Sequence, residues 1–427
     1  MAPVECFPMR RASFVVLLRS LVVLTLLALT AGCSLLSGNV GVLWTNRPEF
    51  TTYAELFNAS QSRYKLEVVY KADPVLSLAN ATKVPDLVVG LREDSIPIIG
   101  RFVSLDQILN RGEVNPSLFY RDLLRTGRYE GRQLLLPVSF DLPALLSEDS
   151  TAAPPVGAMT VTLDQVKQRA LVFDKNTTDA FRVLAFSPRW SGDFLYLAAQ
   201  MMGADFRQDS HGDLAWDDQK LSNSVSYLRD WIDNVDGGNE SDLEFGEKYL
   251  YDPVDKLLSS GRVAFYYMSL SGFYDLSADK RKTIRLQWVA QNGRVPVLDT
   301  LLFAGVPRWA RNRAAAFAFL QWFYRPVTQR RLLEASRDEH LKVFGIANGL
   351  SALPQVNEHD FPQSYPFLIS RIPQVDSLAF PKPLPADWEG IKSDVLVPWL
   401  NHEILSPATD QPLRERLKAW RLQRPLM

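Results

Sequence analysis

The stretch from Val40 to Val89 constrains the fold most. Val40 to Trp44 (VGVLW) is an apolar run of strand length, followed by a polar turn at Thr45, Asn46 and Arg47. Pro48 suits the first turn of a helix, and Phe50, Tyr53, Leu56 and Phe57 then recur at helical spacing. Leu66, Val68 and Tyr70 alternate with Lys65, Glu67 and Val69, the period of a strand. Leu76 to Ala81 reads as a short helix and Asp86 to Val89 as a third strand. A chain that opens β-α-β-α-β builds a parallel sheet, with its polar loops gathered at the strand C-terminal ends.

Farther along, Gln133 to Phe140 (QLLLPVSF) is an apolar strand interrupted by Pro137. Proline lacks a donor, so this segment reads as an edge or a crossover between lobes. Residues 149–158 form an Ala/Pro/Thr-rich loop. Asp193 to Met202 is a helix ending at Gly203, and Leu221, Val225, Leu228, Trp231 and Ile232 are the core stripe of another. Strands are expected at Arg262 to Met268 and Leu301 to Val306, with a polar turn at Ser269 to Gly272. Helices are expected at Ala314 to Tyr324, at Thr328 to Ala335 and near Trp388 to Leu400, with a Gly/Pro-marked loop from Gly345 to Pro354. Tyr53, Phe57, Phe317 and Trp322 lie on helical stripes and read as packing.

Ahead of the first strand, Arg10 and Arg11 precede the apolar run Phe14 to Ala31, which closes on Gly32 and Cys33. A basic head, a short apolar core and small residues make a secretory signal. Leu-Thr-Ala-Gly-Cys resembles a bacterial lipobox, with Thr30 where that pattern usually has Leu; the resemblance implies cleavage and acylation at Cys33. The chain's 2 cysteines, Cys6 and Cys33, then leave the mature body without a disulfide or a cysteine-ligated metal. At 427 residues it can hold two full cores, and 47 Lys+Arg against 48 Asp+Glu give no reason to expect nucleic acid. His211, His340, His359 and His402 are scattered without zinc spacing, and no nucleophile elbow or P-loop is present, so no metal, cofactor or enzymatic activity is expected.

The order of several short motifs resembles the family 1 extracellular solute-binding proteins of ABC transporters. They are VGVLWTNRPEFTTYAELFN, Pro85-Asp86-Leu87, Leu105-Asp106 and Tyr129 to Pro137, with Arg132 for the usual lysine. Met202 to Phe206, Gly261 to Phe265 and Gly305 through Ala315 to Leu320 follow. Three features depart: Leu145 to Glu148 replaces a frequent Tyr-Asn pair, Phe273 stands where a tryptophan is common, and residues 362–386 are unusually proline-rich.

The resemblance implies an α/β, two-lobed periplasmic-binding-protein fold of type II, with a hinge of two or three crossing strands and a ligand cleft between the lobes. The expected division is a signal peptide at 1–33, a tether at 34–39, an N-terminal lobe at 40–139 and 305–350, and a C-terminal lobe at 140–304 and 351–427. The implied function is that of a monomeric, lipid-anchored receptor outside the cell membrane. It would capture a small polar solute, a sugar or oligosaccharide, and deliver it to an ABC permease. Loop position nominates Trp44, Asn46, Arg47, Glu49, Asp141, Trp190, Asp193, Tyr267, Ser269, Phe273, Arg308 and Trp309 as cleft residues. A surface lipoprotein using the same fold for protein interaction and a secreted hydrolase are the alternatives.

Overall fold

The computed structural model describes residues 39–92, 96–148, 159–175, 183–339, 341–385, 387–406 and 411–423. The signal segment, Cys33 and the 149–158 loop lie outside them. The opening alternation is realised as β1 (Val40–Thr45), α1 (Phe50–Ser60), β2 (Lys65–Tyr70), α2 (Pro74–Ala79) and β3 (Leu87–Leu91). Both β2 and β3 run parallel to β1. α1 buries Phe50, Tyr53 and Phe57 on one stripe. Phe57 meets Phe319 and Trp322 edge-on, each at 5.5 Å between ring centroids.

The chain leaves this sheet through β4 (Leu135–Phe140), passes Asp141 and Leu142, and enters β5 (Pro143–Glu148) of a second sheet. β6 (Thr160–Val161), β7 (Tyr266–Ser269) and β8 (Ile284–Val289) complete that sheet in the order β7-β5-β8-β6. Between β6 and β7, α3 (Gly192–Met201) and α4 (Asp218–Asn234) carry Phe194 and Trp231 into a core shared with Trp388, Leu396 and Leu400. After β7, Ser269 opens α5 (Leu270–Asp275), its hydroxyl accepting from the Gly272 N–H at 3.1 Å. The expected polar turn is therefore a helix start.

A second crossing returns through β9 (Val295–Pro296) to β10 (Leu302–Gly305), which runs antiparallel between β3 and β4. α6 (Arg313–Phe323) and α7 (Pro326–Asp338) follow, and β11 (Leu350–Ser351) closes the first sheet in the order β11-β4-β10-β3-β1-β2. Pro137 sits inside that sheet, opposite Phe303, where the pairing register shifts; the irregularity accommodates the missing donor. Leu353, Val356, Phe361 and Leu368 belong to the same buried cluster as Leu43 and Phe50. A third crossing runs through β12 (Leu378–Ala379), parallel to β9, toward Trp388 and α8 (Val397–Leu405). The crossings are tied together: Val297 N–H donates to Ala379 O at 2.8 Å and Leu298 N–H to Asp141 O at 3.0 Å. Among the described residues no helix is long and apolar enough to cross a membrane.

Candidate functional site

Where the crossings meet the sheet ends, a cleft of about 420 Å³ opens. The first body contributes Arg47 from the turn after β1, Ser139 and Phe140 from β4, and Ala347 and Asn348 from a tight turn. The second contributes Ser191 and Asp193 at the start of α3, Tyr196, and Tyr267 to Ser269 at the end of β7. Asp141, Leu298, Asp299 and Thr300 come from the crossings themselves.

Three carboxylates define its chemistry. Asp141 is buried in the first crossing and accepts from Leu142 N–H at 2.8 Å, from Ser271 N–H at 3.3 Å and from the Ser271 hydroxyl. Burial pushes its carboxyl above the ordinary aspartate value, and those donors, the Ser271 hydroxyl foremost, pull it back. Asp299 accepts from Trp388 Nε1 at 2.7 Å and from Lys392 Nζ at 2.8 Å. The same ammonium lies 3.1 Å from Asp193, whose side chain is 65% exposed in the cleft. Burial works to lower the Lys392 pKa, but Asp299, Glu389 and Asp193 outweigh it and hold the ammonium above the ordinary lysine value. Tyr267 stays a neutral hydroxyl: burial raises its pKa, and Asp193, Asp299 and Asp141 raise it further.

Arg47 of the lining and its neighbour Glu49 have Nε and Oε1 buried without a hydrogen-bond partner among the described residues. Burial raises the Glu49 carboxyl, with its own backbone N–H and Arg47 opposing. The turn beside them holds Ala347 and Asn348 at φ 50° and 58°, a left-handed pair rare outside glycine. It is braced by Ala347 N–H donating to Tyr53 Oη at 3.2 Å and by Ser139 Oγ donating to Ala347 O at 3.2 Å.

Of the residues nominated by sequence, Arg47, Asp141, Asp193, Tyr267 and Ser269 are brought together here. Glu49 is buried close enough to Arg47 for the guanidinium to act on its carboxyl. Asn46 turns its amide to Ala72 O at 3.2 Å. Trp44 lines a different groove, under Lys71. Trp190 stacks on Phe245 at 5.2 Å, and Phe273 is buried against Tyr274 and Phe367. Arg308 and Trp309 lie at the far end of the first sheet, because antiparallel β10 carries the chain away from the cleft; Arg308 N–H bonds to Arg101 O. Sequence reasoning missed Tyr196, Ser271, Asp299, Asn348 and Lys392. Asn348 and Ser271 had local signals, the Gly/Pro marking of one loop and the polar turn at Ser269 to Gly272. Among the described residues, no group of three or more His, Cys, Asp or Glu side chains could hold a metal ion.

By sequence alone the chain matches no known family model and no curated protein. Solved structures match its fold closely. The sugar-binding protein MalE from Xanthomonas citri superposes with a TM-score of 0.67 at 11% identity, over 91% of this chain and 100% of that one. The GacH receptor of Streptomyces glaucescens, solved unliganded and with acarbose, gives 0.64 at 15% identity, over 90% and 97%. The cyclic alpha-maltosyl-1,6-maltose binding protein from Arthrobacter globiformis gives 0.62 at 17% identity, over 89% and 96%. The chain therefore has the two-lobed α/β fold of ABC-type substrate-binding proteins, and the cleft lies where its two sheets are joined.

Proposed function

We propose that this chain is the solute receptor of an ABC importer, capturing a small polyhydroxylated solute, a sugar or short oligosaccharide, by closing its lobes. The lobes divide near the crossings at Asp141, Leu298 and Leu378. Export and acylation at Cys33 tether the monomer to the outer face of the cell membrane, and the closed form delivers its solute to a permease.

The cleft's polar lining carries this reading. Arg47, Asp193, Asp299, Asn348 and Tyr267 offer both donors and acceptors to hydroxyl groups. Its carboxylates serve protein donors: Ser271 for Asp141, Lys392 for Asp193 and Asp299. The aromatic rings of the lining, Phe140, Tyr196 and Tyr267, are all buried and engaged with other rings. Hydroxyl recognition thus outweighs stacking, and short, polar solutes fit better than long ones.

The test is thermal unfolding of the detergent-solubilised full chain against monosaccharides, malto- and manno-oligosaccharides, polyols and amino acids. A ligand at about 100 times its Kd adds roughly 2.7 kcal/mol of stability, a shift of several degrees. A sugar should give that shift, and Arg47→Ala should abolish it. Silence across the panel, or a response only to amino acids, would overturn the assignment. Palmitate incorporation lost in Cys33→Ala tests the anchor separately.

A further inference from the structure

Trp44 belongs to a second concavity, remote in chemistry from the cleft. It holds about 600 Å³ on the open face of the first sheet. Val42, Trp44 and Val69 form its floor, and Val84 and Pro85 one side. α2 is only six residues long and packs toward β3, where Val75 would meet a Cβ on Gly90 at 2.5 Å. Among the described residues no helix covers the β1–β2 face, and Val69 remains 39% exposed. Lys71 and Lys83 stand at the rim, Lys71 with its ammonium 4.9 Å from the Trp44 ring centroid. Among the described residues no carboxylate lines the groove; Glu67, on the same sheet face, lies outside it.

The groove adjoins an open strand edge. β2 is the terminal strand and pairs with β1 alone. Lys65 N–H and Lys71 N–H donate inward to Asn39 O and Thr45 O. By the alternation of a parallel ladder, Leu66, Val68 and Tyr70 turn their backbone groups outward. Leu66 is capped on both groups by the Asn58 amide, at 2.8 and 3.0 Å. Among the described residues Val68 and Tyr70 have no such cap, and the Tyr70 side chain is 65% exposed. An uncapped edge beside an apolar, cationic groove is what strand addition uses: main-chain bonds supply affinity and alternate side chains fill the groove.

We propose that β2 and the Trp44 groove form a docking site for a partner protein's extended segment that presents apolar and acidic residues together on one face, at every second position. It adds as a strand beyond β2, pairing with Val68 and Tyr70. Its apolar side chains cover Trp44 and Val69, and its carboxylates reach Lys71 and Lys83. A small anion satisfies only the lysines; a polypeptide satisfies the edge as well.

The test screens the detergent-solubilised full chain against two displayed libraries of short peptides. One carries Val, Ile or Tyr together with Asp or Glu at every second position, and the other replaces the acids with Lys. Wild type should enrich the acidic library by about tenfold or more, equivalent to about 1.4 kcal/mol. Lys71→Glu/Lys83→Glu, a change of two surface side chains, should abolish or invert that preference. Val68→Pro, which removes an outward N–H, should weaken selected peptides while the solute-induced thermal shift persists. Equal enrichment of the two libraries, or acidic preference surviving the double substitution, would overturn the proposal. So would complete displacement of the peptides by millimolar citrate, which would mark a small-anion site.

Discussion

Lys392→Met probes the ion cluster beneath the cleft. The Lys392 and Asp299 side chains are only 10% and 6% exposed, and the ammonium also reaches Asp193. Methionine fills most of the lysine's volume, so the change removes charge with little cavity. It leaves Asp299 buried with Trp388 Nε1 as its remaining side-chain donor. Breaking a buried pair by deleting one partner costs about 3–5 kcal/mol; the surviving indole bond puts the expected loss near the lower figure. For a body of this size that lowers the melting temperature by about 6–12 °C. The assay is thermal unfolding by circular dichroism, with Lys392→Met/Asp299→Asn as the companion. If the loss arises from an orphaned carboxylate, the second change should restore more than half of it. A drop under about 2 °C, or a double variant no better than the single, would refute the reasoning.

Three further outcomes are expected. Burial raises the Asp174 carboxyl to about 7 from an ordinary 3.8, against a hydrogen bond from Ala185 N–H. The folded chain thus holds a proton that the unfolded chain has released, so stability falls as pH rises from about 4 to about 7. Asp174→Asn, which keeps the acceptor, should gain about 2–4 kcal/mol at pH 8 and little at pH 4, by urea unfolding at both; equal gains would count against it. Tyr53→Phe removes the acceptor for Ala347 N–H and should cost about 1–3 kcal/mol, with faster hydrogen exchange confined to residues 345–349. In Gly305→Ala the new Cβ would lie 2.6 Å from the Phe102 ring and 2.7 Å from Leu135. A loss of about 1–3 kcal/mol in urea unfolding is expected there.

Much of the fold was legible because its signals are local. The stripe Leu221, Val225, Leu228, Trp231 and Ile232 is buried as its spacing requires. The opening β-α-β-α-β order is realised element by element. Legibility failed where a backbone group found a distant partner. The expected strand from Arg262 begins only at Tyr266, because Ala264 and Phe265 N–H both donate to Ala185 O rather than to a ladder. Pro137 argued for an edge or a crossover between lobes; β4 is the crossover, and it has neighbours on both sides, with an extra residue, Val138, at the register shift beside Pro137.

The site was harder to read, because cleft position depends on strand direction. The strand C-terminal ends of a parallel sheet face the cleft, and Arg47, after β1, lines it. Applied to β10 that rule fails: this strand is antiparallel, so Leu302 at its start lines the cleft and Arg308 after its end does not. Pleating separates Trp44 from Arg47 for a second reason. Trp44 lies within β1 and must point to a sheet face, whereas Arg47 follows the last strand residue and is free to turn over the end. The Asp193–Lys392–Asp299 cluster is beyond any local rule. Its members are separated by about a hundred residues or more and meet only because the third crossing brings the C-terminal helices back under α3. Apolar periodicity foretells which faces are buried; it carries no record of which charges will meet behind them.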